Sequence, residues 1–453
     1  MIELTNIRRV YFIGIGGIGM SALARYFHEK GVIVSGYDRT PTSLTKNLEQ
    51  SGIRIHYTED IALLDREADL VVYTPAIPED HQELTYYRSG KYPVWKRSDV
   101  LEAITKELFA ITVAGTHGKT TISTMIAHIL RHSGYGCNAF LGGLSVNYGS
   151  NFWSSPSRTA VIEADEYDRS FLKLHPNIAI LSAMDPDHLD IYGTEKAMQD
   201  AFIQYANRTD QRGTLFYKYG LQRHDEFTAA NQVTYSLQQE DAQVHASDIR
   251  IREGEYIFNV SGRSWTIENI CLKIGGLHNV ENAVIATAVA YHLGIAKEKI
   301  KAALAGFKGV KRRFEYLVRK PGVIYIDDYA HHPEELKALI TSARELFPGK
   351  ACTVIFQPHL FSRTRDLAQG FAESLSLADE VILLPIYPAR EKPIEGVSSE
   401  MIAGNITGIP VHLMSKAQCM EWLKQKNSGL FITAGAGDID QLTEPVSLIL
   451  NKL

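Results

Sequence analysis

Cysteine is scarce in this chain. Its 453 residues include four cysteines, and no two of them are spaced as a C-x-x-C pair. The sequence therefore indicates neither a disulfide framework nor a zinc-ribbon site. Dispersed thiols are typical of a reducing compartment, and the N-terminus has neither the cationic head nor the longer apolar core of a signal peptide. We expect a cytoplasmic protein.

Long apolar runs and an excess of basic charge are also lacking. No stretch reaches the roughly 18 apolar residues of a transmembrane helix, so we expect no membrane insertion. The net charge is −5 and the pI is about 6.4, which offers no basic field to a nucleic acid. With 45% hydrophobic and 22% charged residues, the composition is that of a globular protein long enough for two or three domains.

Strand-length apolar runs alternate with helix-length segments along almost the whole chain. This alternation predicts the α/β class, with three domains and largely parallel sheets. We place a Rossmann-like domain at 1–105, a central P-loop-type ATPase α/β domain at 106–312 and a second Rossmann-like domain at 313–453. From about 230 to 272 the pattern alternates with few helix signals, which predicts an antiparallel appendage on the central domain.

The first glycine-rich motif is VYFIGIGGIGMSALARYF at residues 10–27, a pattern of buried strand, glycine turn and helix start. Gly14, Gly16 and Gly19 match G-x-G-x-x-G, and Asp38 follows at the distance of an acidic ribose contact. Such a turn holds a diphosphate whether it belongs to a dinucleotide or to a UDP-sugar. A nicotinamide-dependent oxidoreductase is therefore one hypothesis, and a UDP-substrate enzyme is another.

The second glycine-rich motif is GTHGKTT at residues 115–121, between the strand-like FAITVAG and the helical TISTMIAHIL. Its glycines let backbone N–H groups approach phosphate oxygens, and Lys119 can neutralise β/γ-phosphate charge. Thr120 can place its hydroxyl on Mg²⁺. Two residues, and not the standard four, separate Gly115 from Gly118. The motif predicts ATP binding.

Acidic and histidine residues follow other predicted strands. Glu163, Asp165 and Glu166 end the strand-like TAVIEADE, and carboxylates at such an edge suit Mg²⁺; a solvated acidic turn is the less favoured alternative. His188 lies in DPDHLD, and a lone histidine is more often structural than a ligand. The run DDYAHHP at 327–333 fits a metal cluster or a structural corner equally well.

Taken together, the motifs resemble those of the Mur ligases, ATP-dependent enzymes that build the peptide stem of peptidoglycan. The resemblance implies an enzyme that joins L-alanine to UDP-N-acetylmuramate through an acyl phosphate, with ATP and Mg²⁺. The motifs occur in family order and cover essentially the whole chain: GIGGIGMSALA (14–24), GTHGKTT (115–121), EADEYD (163–168), DPDHLD (185–190), HNVENA (278–283), KRRFE (311–315), DDYAHHP (327–333), FQPHLFSRTRD (356–366) and YPAREKPI (387–394).

The resemblance implies binding roles for three groups of residues. The UDP-substrate group around the first glycine turn is Gly16, Gly17, Ile18, Gly19 and Asp38, with His56, Thr74 and Arg97 as weaker candidates. The ATP group is Gly115, Thr116, His117, Gly118, Lys119, Thr120, Thr121, Asn279, Asn282, Arg313 and Asp328. The metal group is Thr120, Glu163 and His188. On the residues alone, asparagines placed like Asn279 and Asn282 are more often helix caps than ligand contacts, and Arg312 and Arg313 fit a solvated face.

The same resemblance implies an amino-acid site and a catalytic set. The amino-acid site comprises Tyr329, His331, His359 and Arg363. The catalytic residues are Lys119, Glu163, His188 and His331, and the sequence does not choose between His188 and His331 as the base. Leu360 stands where many family members have arginine, and Arg390 replaces a common glycine. We therefore expect Arg363 or Arg365 to supply the missing carboxylate contact.

Three alternatives remain beside this interpretation. A recycling ligase joins a whole tripeptide to the same UDP-sugar, but its opening loop usually differs from GIGGIGMS. A nicotinamide oxidoreductase leaves GTHGKTT and the third domain unexplained. A nonenzymatic regulator built on a decayed ligase is disfavoured, because the loop lysine, the threonine and the acidic metal candidates are all present. We expect a monomer or a weak homodimer.

Overall fold

The computed structural model describes residues 4–186, 189–389 and 391–452, and the predicted α/β class is confirmed. Three sheets are flanked by helices. The chain divides into two compact units, each described by itself. The first unit comprises Met1–Ser247, Asn259–Glu268 and Glu281–Ala305, and the second comprises Asp248–Phe258, Asn269–Val280 and Gly306–Leu453.

The first sheet has five parallel strands in the order β3-β2-β1-β4-β5, as a Rossmann-like domain requires. Its central strands are apolar on both faces because helices cover both sides of the sheet. The strands are β1 Arg9–Ile13, β2 Ile33–Tyr37, β3 Arg54–His56, β4 Leu70–Tyr73 and β5 Val94–Lys96. The helices are α1 Ile18–Glu29, α2 Ser43–Gln50, α3 Gln82–Ser89 and α4 Arg97–Glu107.

The second sheet has ten strands in the order β15-β14-β13-β12-β11-β10-β6-β9-β7-β8. They are β6 Phe109–Ala114, β7 Asn138–Ser145, β8 Ser150–Trp153, β9 Thr159–Glu163, β10 Ile178–Leu181, β11 Thr214–Lys218, β12 Gln232–Ser236, β13 Val244–Arg252, β14 Glu255–Gly262 and β15 Trp265–Leu272. The helices along this part of the chain are α5 Lys119–Ser133, α6 Leu189–Tyr192, α7 Glu195–Ala206, α8 Leu277–His292 and α9 Lys297–Gly306.

Strand β12 corrects the predicted antiparallel appendage. It pairs in parallel with β11, and β13 starts in parallel with β12. Alternation of polar and apolar residues cannot show strand direction, which here depends on the long segment 219–231 that returns the chain across the sheet. The prediction holds for β13 to β15, because these neighbours are joined by two-residue turns at 253–254 and 263–264, and such turns join antiparallel strands.

The third sheet lies in the second unit, with the order β16-β17-β21-β18-β19-β20. Strand β16 is antiparallel to β17, and the other pairs are parallel. The strands are β16 Glu315–Lys320, β17 Val323–Asp328, β18 Cys352–Phe356, β19 Glu380–Leu383, β20 Val411–Leu413 and β21 Gly429–Ala434. The helices are α10 Pro333–Leu346, α11 Phe361–Leu375, α12 Glu400–Ala403, α13 Lys416–Leu423 and α14 Thr443–Leu450. In the described part of the chain, no helix combines the length and apolarity needed to cross a membrane.

Helix α1 is fixed against the edge of the second sheet, within the first unit. The Tyr26 ring packs on Phe140 and Phe152, with ring centroids 5.3 and 6.1 Å apart. Asn151 of β8 is fully buried, and its Nδ2 donates to the Ile18 carbonyl at 2.5 Å and to Ser21 Oγ at 3.1 Å. Because α1 begins directly after the first glycine turn, these contacts hold that turn in place.

Substitution of Asn151 tests this attachment. Asn151→Ala removes two hydrogen bonds, one of them to the buried Ser21 hydroxyl, and leaves a cavity at a fully buried position, so we expect the free energy of unfolding to fall by about 1–3 kcal/mol. Urea unfolding followed by circular dichroism measures the change. Asn231→Ala is the matched control, because that exposed amide also donates to a backbone carbonyl and should cost less than about 0.5 kcal/mol. Equal effects of the two variants would contradict this account.

Candidate active site

The GTHGKTT loop joins the end of β6 to the start of α5, as the sequence predicts. Gly115 and Gly118 have φ values of 130° and 81°, a region that favours glycine. A side chain at Gly118 would also approach Asn282 Oδ1 to 2.9 Å. The loop therefore places glycines, whose backbone N–H groups a ligand can approach closely, at the N-terminal, positive end of a 15-residue helix. This arrangement binds phosphate.

Lys119 is held over this loop by two contacts. Its Nζ donates to the Gly115 carbonyl and to Glu166 Oε1, each at 2.7 Å. The Glu166 side chain is 1% exposed, and this burial raises its pKa although Lys119 acts in the opposite direction. Tyr192 donates its hydroxyl to the Glu166 carbonyl at 2.6 Å. The ammonium is thus already in place to meet a phosphate on the loop.

Glu163 and Thr120 supply two adjacent oxygens at the same loop. Thr120 Oγ1 donates to Glu163 Oε1 at 3.1 Å, and the Gly142 N–H donates to Oε2 at 3.0 Å. This donor set fits Mg²⁺, which takes one or two protein oxygens and completes its shell with phosphate and water. The described residues contain no cluster of three or more His, Cys, Asp or Glu that could hold a metal. His188 lies outside the described residues.

Asn279 and Asn282 lie within the first turns of α8, which begins at Leu277, so neither precedes the helix as its cap. Asn279 belongs to the second unit and donates its Nδ2 to the Gly275 carbonyl at 2.6 Å. Asn282 belongs to the first unit and lies beside Gly118 of the phosphate loop. The structure therefore brings Asn282 to this loop.

The first glycine turn brings together residues from three strand ends. Gly14 donates its N–H to the Tyr37 carbonyl at 2.8 Å, and Gly16 donates its N–H to Asp38 Oδ2 at 2.7 Å. A side chain at Gly14 would meet Thr74 Cγ2 at 2.9 Å. Asp38 and Thr74 thus lie at the carboxyl edge of the sheet beside the turn, where open α/β sheets bind ligands.

Arg97 links this turn to the acidic end of β9. Its guanidinium lies directly beside Gly19, and its Nη2 donates to Asp165 Oδ2 at 3.2 Å. Asp165 is two residues from Glu163. Sequence reasoning placed Arg97 near the first turn but missed this partner, because 68 residues separate the two.

Residues after β10 support the phosphate loop from another side, and sequence reasoning did not single them out. Ser182 Oγ donates to the His117 carbonyl and, at 3.2 Å, to the Ala114 carbonyl. The Asp185 N–H donates to Thr116 Oγ1 at 3.2 Å. Asp185 opens the polar DPDHLD motif that follows this strand, whereas no sequence signal marked Ser182.

In the second unit, two aspartates end β17. Asp327 accepts from Arg312 Nε at 3.1 Å and from Thr433 Oγ1 at 2.7 Å, and burial raises its pKa to about 6. Asp328 accepts from the N–H groups of Phe314 and Ala330 at 2.6 and 2.7 Å, and burial raises its pKa to about 6 as well. Arg312 is therefore engaged inside the unit, whereas the neighbouring position 313 is exposed.

The predicted amino-acid residues also lie together in the second unit. The rings of Tyr329 and His331 are 5.1 Å apart, and those of His331 and His359 are 6.2 Å apart. Burial, with a smaller contribution from Arg363, lowers the pKa of His359. Within the described residues, His359 Nδ1 and Arg363 Nη1 are buried without a hydrogen-bond partner. Leu360 between them has a φ of 73°, a strained value for a residue other than glycine.

These sheets and loops define an ATP-binding α/β enzyme with a second nucleotide-type glycine turn. The chain belongs to the Mur ligase family. The Mur ligase family catalytic domain matches residues 9–108, the Mur ligase middle domain matches 113–290, and the Mur ligase glutamate ligase domain matches 312–437. The three-domain Mur ligase fold and the use of ATP follow from this membership.

Individual relatives match over their whole length. A UDP-N-acetylmuramate–L-alanine ligase of Flavobacterium psychrophilum is 47% identical, covering 99% of this chain and 100% of that protein. One of Porphyromonas gingivalis is 47% identical over 98% of this chain and 100% of that protein. The crystal structure of the UDP-N-acetylmuramate–alanine ligase of Thermotoga maritima matches with a TM-score of 0.82 and 29% identity, covering 99% and 100% of the two chains.

Removal of the loop ammonium tests the nucleotide site. A charge-assisted hydrogen bond contributes about 1.5–3 kcal/mol, so we expect Lys119→Met to weaken ADP binding by about tenfold to a hundredfold, as measured by titration calorimetry. Lys196→Met is the control, because Lys196 is an exposed helix lysine paired with Asp200. Unchanged ADP affinity in folded Lys119→Met protein would refute the assignment of this loop.

Proposed function

We propose that this protein is the ATP-dependent ligase that joins L-alanine to UDP-N-acetylmuramate in the synthesis of peptidoglycan precursors. Whole-length similarity to relatives of that name supports the assignment. The observation that carries it is the complete phosphate loop, in which Lys119 is held by Gly115 and Glu166. A cytoplasmic location is supported by four cysteines that are all free thiols.

The first step is phosphoryl transfer to the substrate carboxylate. A lactyl carboxylate oxygen of UDP-N-acetylmuramate forms a bond to the γ-phosphorus of ATP, and the bond from that phosphorus to the bridging oxygen breaks, which releases ADP. This chemistry depends on position and charge neutralisation more than on covalent help. Lys119 and the N–H groups of residues 115–121 position the phosphates and neutralise their charge. No side-chain nucleophile is needed.

Magnesium is assigned to the oxygens of Thr120 and Glu163, with His188 as a further candidate ligand. When bound there, Mg²⁺ would neutralise charge on the phosphate oxygens as the phosphoryl group transfers. The protein's own contribution is to orient these oxygens. Gly142 fixes one carboxylate oxygen of Glu163 and leaves the other towards Thr120.

The second step forms the amide. The amine of L-alanine attacks the acyl carbon, and the tetrahedral intermediate collapses to the amide and inorganic phosphate. We assign the amino acid to Tyr329, His331, His359 and Arg363, with the Arg363 guanidinium for the carboxylate. His331 Nδ1 lies 2.9 Å from the Tyr329 carbonyl, which only accepts, so Nδ1 carries the hydrogen. When the ring is neutral, Nε2 then keeps its lone pair, and we assign it as a candidate base.

The remaining assignments belong to the same proposal. Gly16, Gly17, Ile18, Gly19, Asp38, His56 and Thr74 form the UDP-substrate site, and Asn279, Asn282, Arg313 and Asp328 contact ATP. The three domains are bounded at 1–105, 106–312 and 313–453, and the protein is a monomer or a weak homodimer. Arg390, which replaces a common glycine, lies outside the described residues.

Phosphate release tests the function and the acceptor together. The protein is incubated with ATP, Mg²⁺ and UDP-N-acetylmuramate, and L-alanine, glycine, L-serine or the stem tripeptide is added in parallel wells. We expect release that requires both the UDP-sugar and L-alanine and that is lost in Lys119→Ala. Release with the tripeptide alone would identify a recycling ligase. No release of phosphate from folded protein would overturn the proposal, and NAD binding would then test the oxidoreductase alternative.

A further inference from the structure

A buried carboxylate in the first sheet takes no part in the mechanism above. Glu83 in the first turn of α3 has no exposed surface. Its Oε2 accepts from the Tyr11 hydroxyl at 2.7 Å, and its Oε1 accepts from the Asp60 N–H at 3.3 Å. Burial raises the pKa of Glu83. A buried carboxylate of this kind is costly, so its contacts call for an explanation.

The same tyrosine connects Glu83 to a histidine. Tyr11 Oη lies 2.7 Å from His56 Nε2, and His56 Nδ1 lies 2.8 Å from the Thr58 carbonyl. His56 Nε2 is also 3.7 Å from Glu83 Oε1. The result is one hydrogen-bonded chain that runs from Thr58 through His56 and Tyr11 to Glu83, which we call the Glu83 chain.

The Glu83 chain contains one more hydrogen than a neutral histidine, a tyrosine and an ionised glutamate supply together. Its three hydrogen bonds need three hydrogens. A neutral histidine and a tyrosine supply two, and an ionised glutamate supplies none. The Thr58 carbonyl can only accept, so His56 Nδ1 carries one hydrogen. The third hydrogen must sit either on His56 Nε2 or on Glu83, because without it one 2.7 Å contact would join two acceptors.

This chain ends at the predicted UDP-substrate site. His56 is the last residue of β3, and its carbonyl accepts from the Asp38 N–H at 3.1 Å. Its ring centroid is 5.5 Å from that of Tyr37 at the end of β2. Asp38 in turn accepts from Gly16 of the glycine turn. The position of His56 therefore sets the position of Asp38 relative to that turn.

Both ring nitrogens of His56 are occupied by protein groups, so they are not available to a ligand in this arrangement. The ring face and the backbone of His56 remain to shape the site. Other titratable and charged groups face the chain from each neighbouring element. They are Tyr37 and Asp38 at the end of β2, Arg39 beyond it, Glu59 and Asp60 after β3, Asp65 before β4, His81 before α3, and Tyr87 within α3.

We propose that Tyr11 and Glu83 are positioning residues of the UDP-substrate site, which hold His56 and Asp38 through one shared proton. The inference rests on the proposed function. Loss of the proton at alkaline pH puts two acceptors in contact and loosens His56. Binding of UDP-N-acetylmuramate therefore weakens as the pH rises, whereas a merely structural chain would leave substrate affinity independent of pH.

Calorimetric titration with UDP-N-acetylmuramate, without ATP or amino acid, tests the proposal from about pH 6 to 8.5. We expect the wild-type Kd to rise by up to about tenfold for each pH unit above the point where the proton leaves. In Glu83→Gln the amide supplies its own hydrogen to Tyr11, so the Kd should no longer change with pH. In Tyr11→Phe the chain is broken, and the Kd should rise about tenfold at every pH.

Tyr87→Phe is the matched control. Tyr87 is a buried tyrosine of the same domain, and its hydroxyl donates to the Asp65 carbonyl at 3.0 Å outside the Glu83 chain. We expect it to lose stability without any change in the pH profile of the Kd. This separates positioning from general destabilisation, and Glu83→Gln keeps the test decisive if Tyr11→Phe does not fold.

Three outcomes would overturn the proposal in distinguishable ways. A wild-type Kd that is constant with pH and equal in Glu83→Gln would remove the positioning role and leave the proposed function intact. Wild-type protein that binds ADP but fails to bind UDP-N-acetylmuramate at any pH would remove both. A pH-dependent Kd that persists unchanged in Glu83→Gln would assign the proton to another group and also contradict the proposal.

Discussion

The contact between Lys119 and Glu166 is the interaction on which the active site depends. A short glycine loop has few atoms with which to fix a long lysine side chain, and an unrestrained ammonium would lose much entropy on meeting phosphate. The buried Glu166 and the Gly115 carbonyl hold the ammonium in advance. Glu166 itself is kept in place by Tyr192 and by its position after β9, so strand, loop and helix together preorganise the phosphate site.

The same strand end connects the two nucleotide-type loops of the first unit. Glu163 faces Thr120 of the phosphate loop, while Asp165 receives Arg97 from beside the first glycine turn. Helix α1, which begins at that turn, is anchored to β8 by Asn151. A ligase must bring a carboxylate on one substrate to the terminal phosphate of another. These contacts give the first unit a fixed relation between the two loops to which we assign those substrates.

Alternation of strand-length and helix-length segments predicted the α/β class and its largely parallel sheets. Glycine spacing at two strand-to-helix junctions predicted both glycine-rich loops, because few other backbone conformations fit such spacing. Contacts between distant residues were not predictable. Arg97 and Asp165 are separated by 68 residues, and Tyr11 and Glu83 by 72. The direction of β12 was predicted wrongly for a related reason, because alternation of polar and apolar residues reports burial and not strand direction. The roles of individual ligand-binding residues depend on bound substrates, and they stay predictions.

We propose that the GTHGKTT loop serves to activate a carboxylate as an acyl phosphate. Isotope transfer tests it most directly. The protein is given ATP, Mg²⁺, L-alanine and UDP-N-acetylmuramate that carries ¹⁸O at both oxygens of its lactyl carboxylate, and the released phosphate is analysed by mass spectrometry. Because the carboxylate oxygen that attacks phosphorus leaves with the phosphate, we predict one ¹⁸O in each phosphate released. Amide formation with unlabelled phosphate would contradict the acyl-phosphate route.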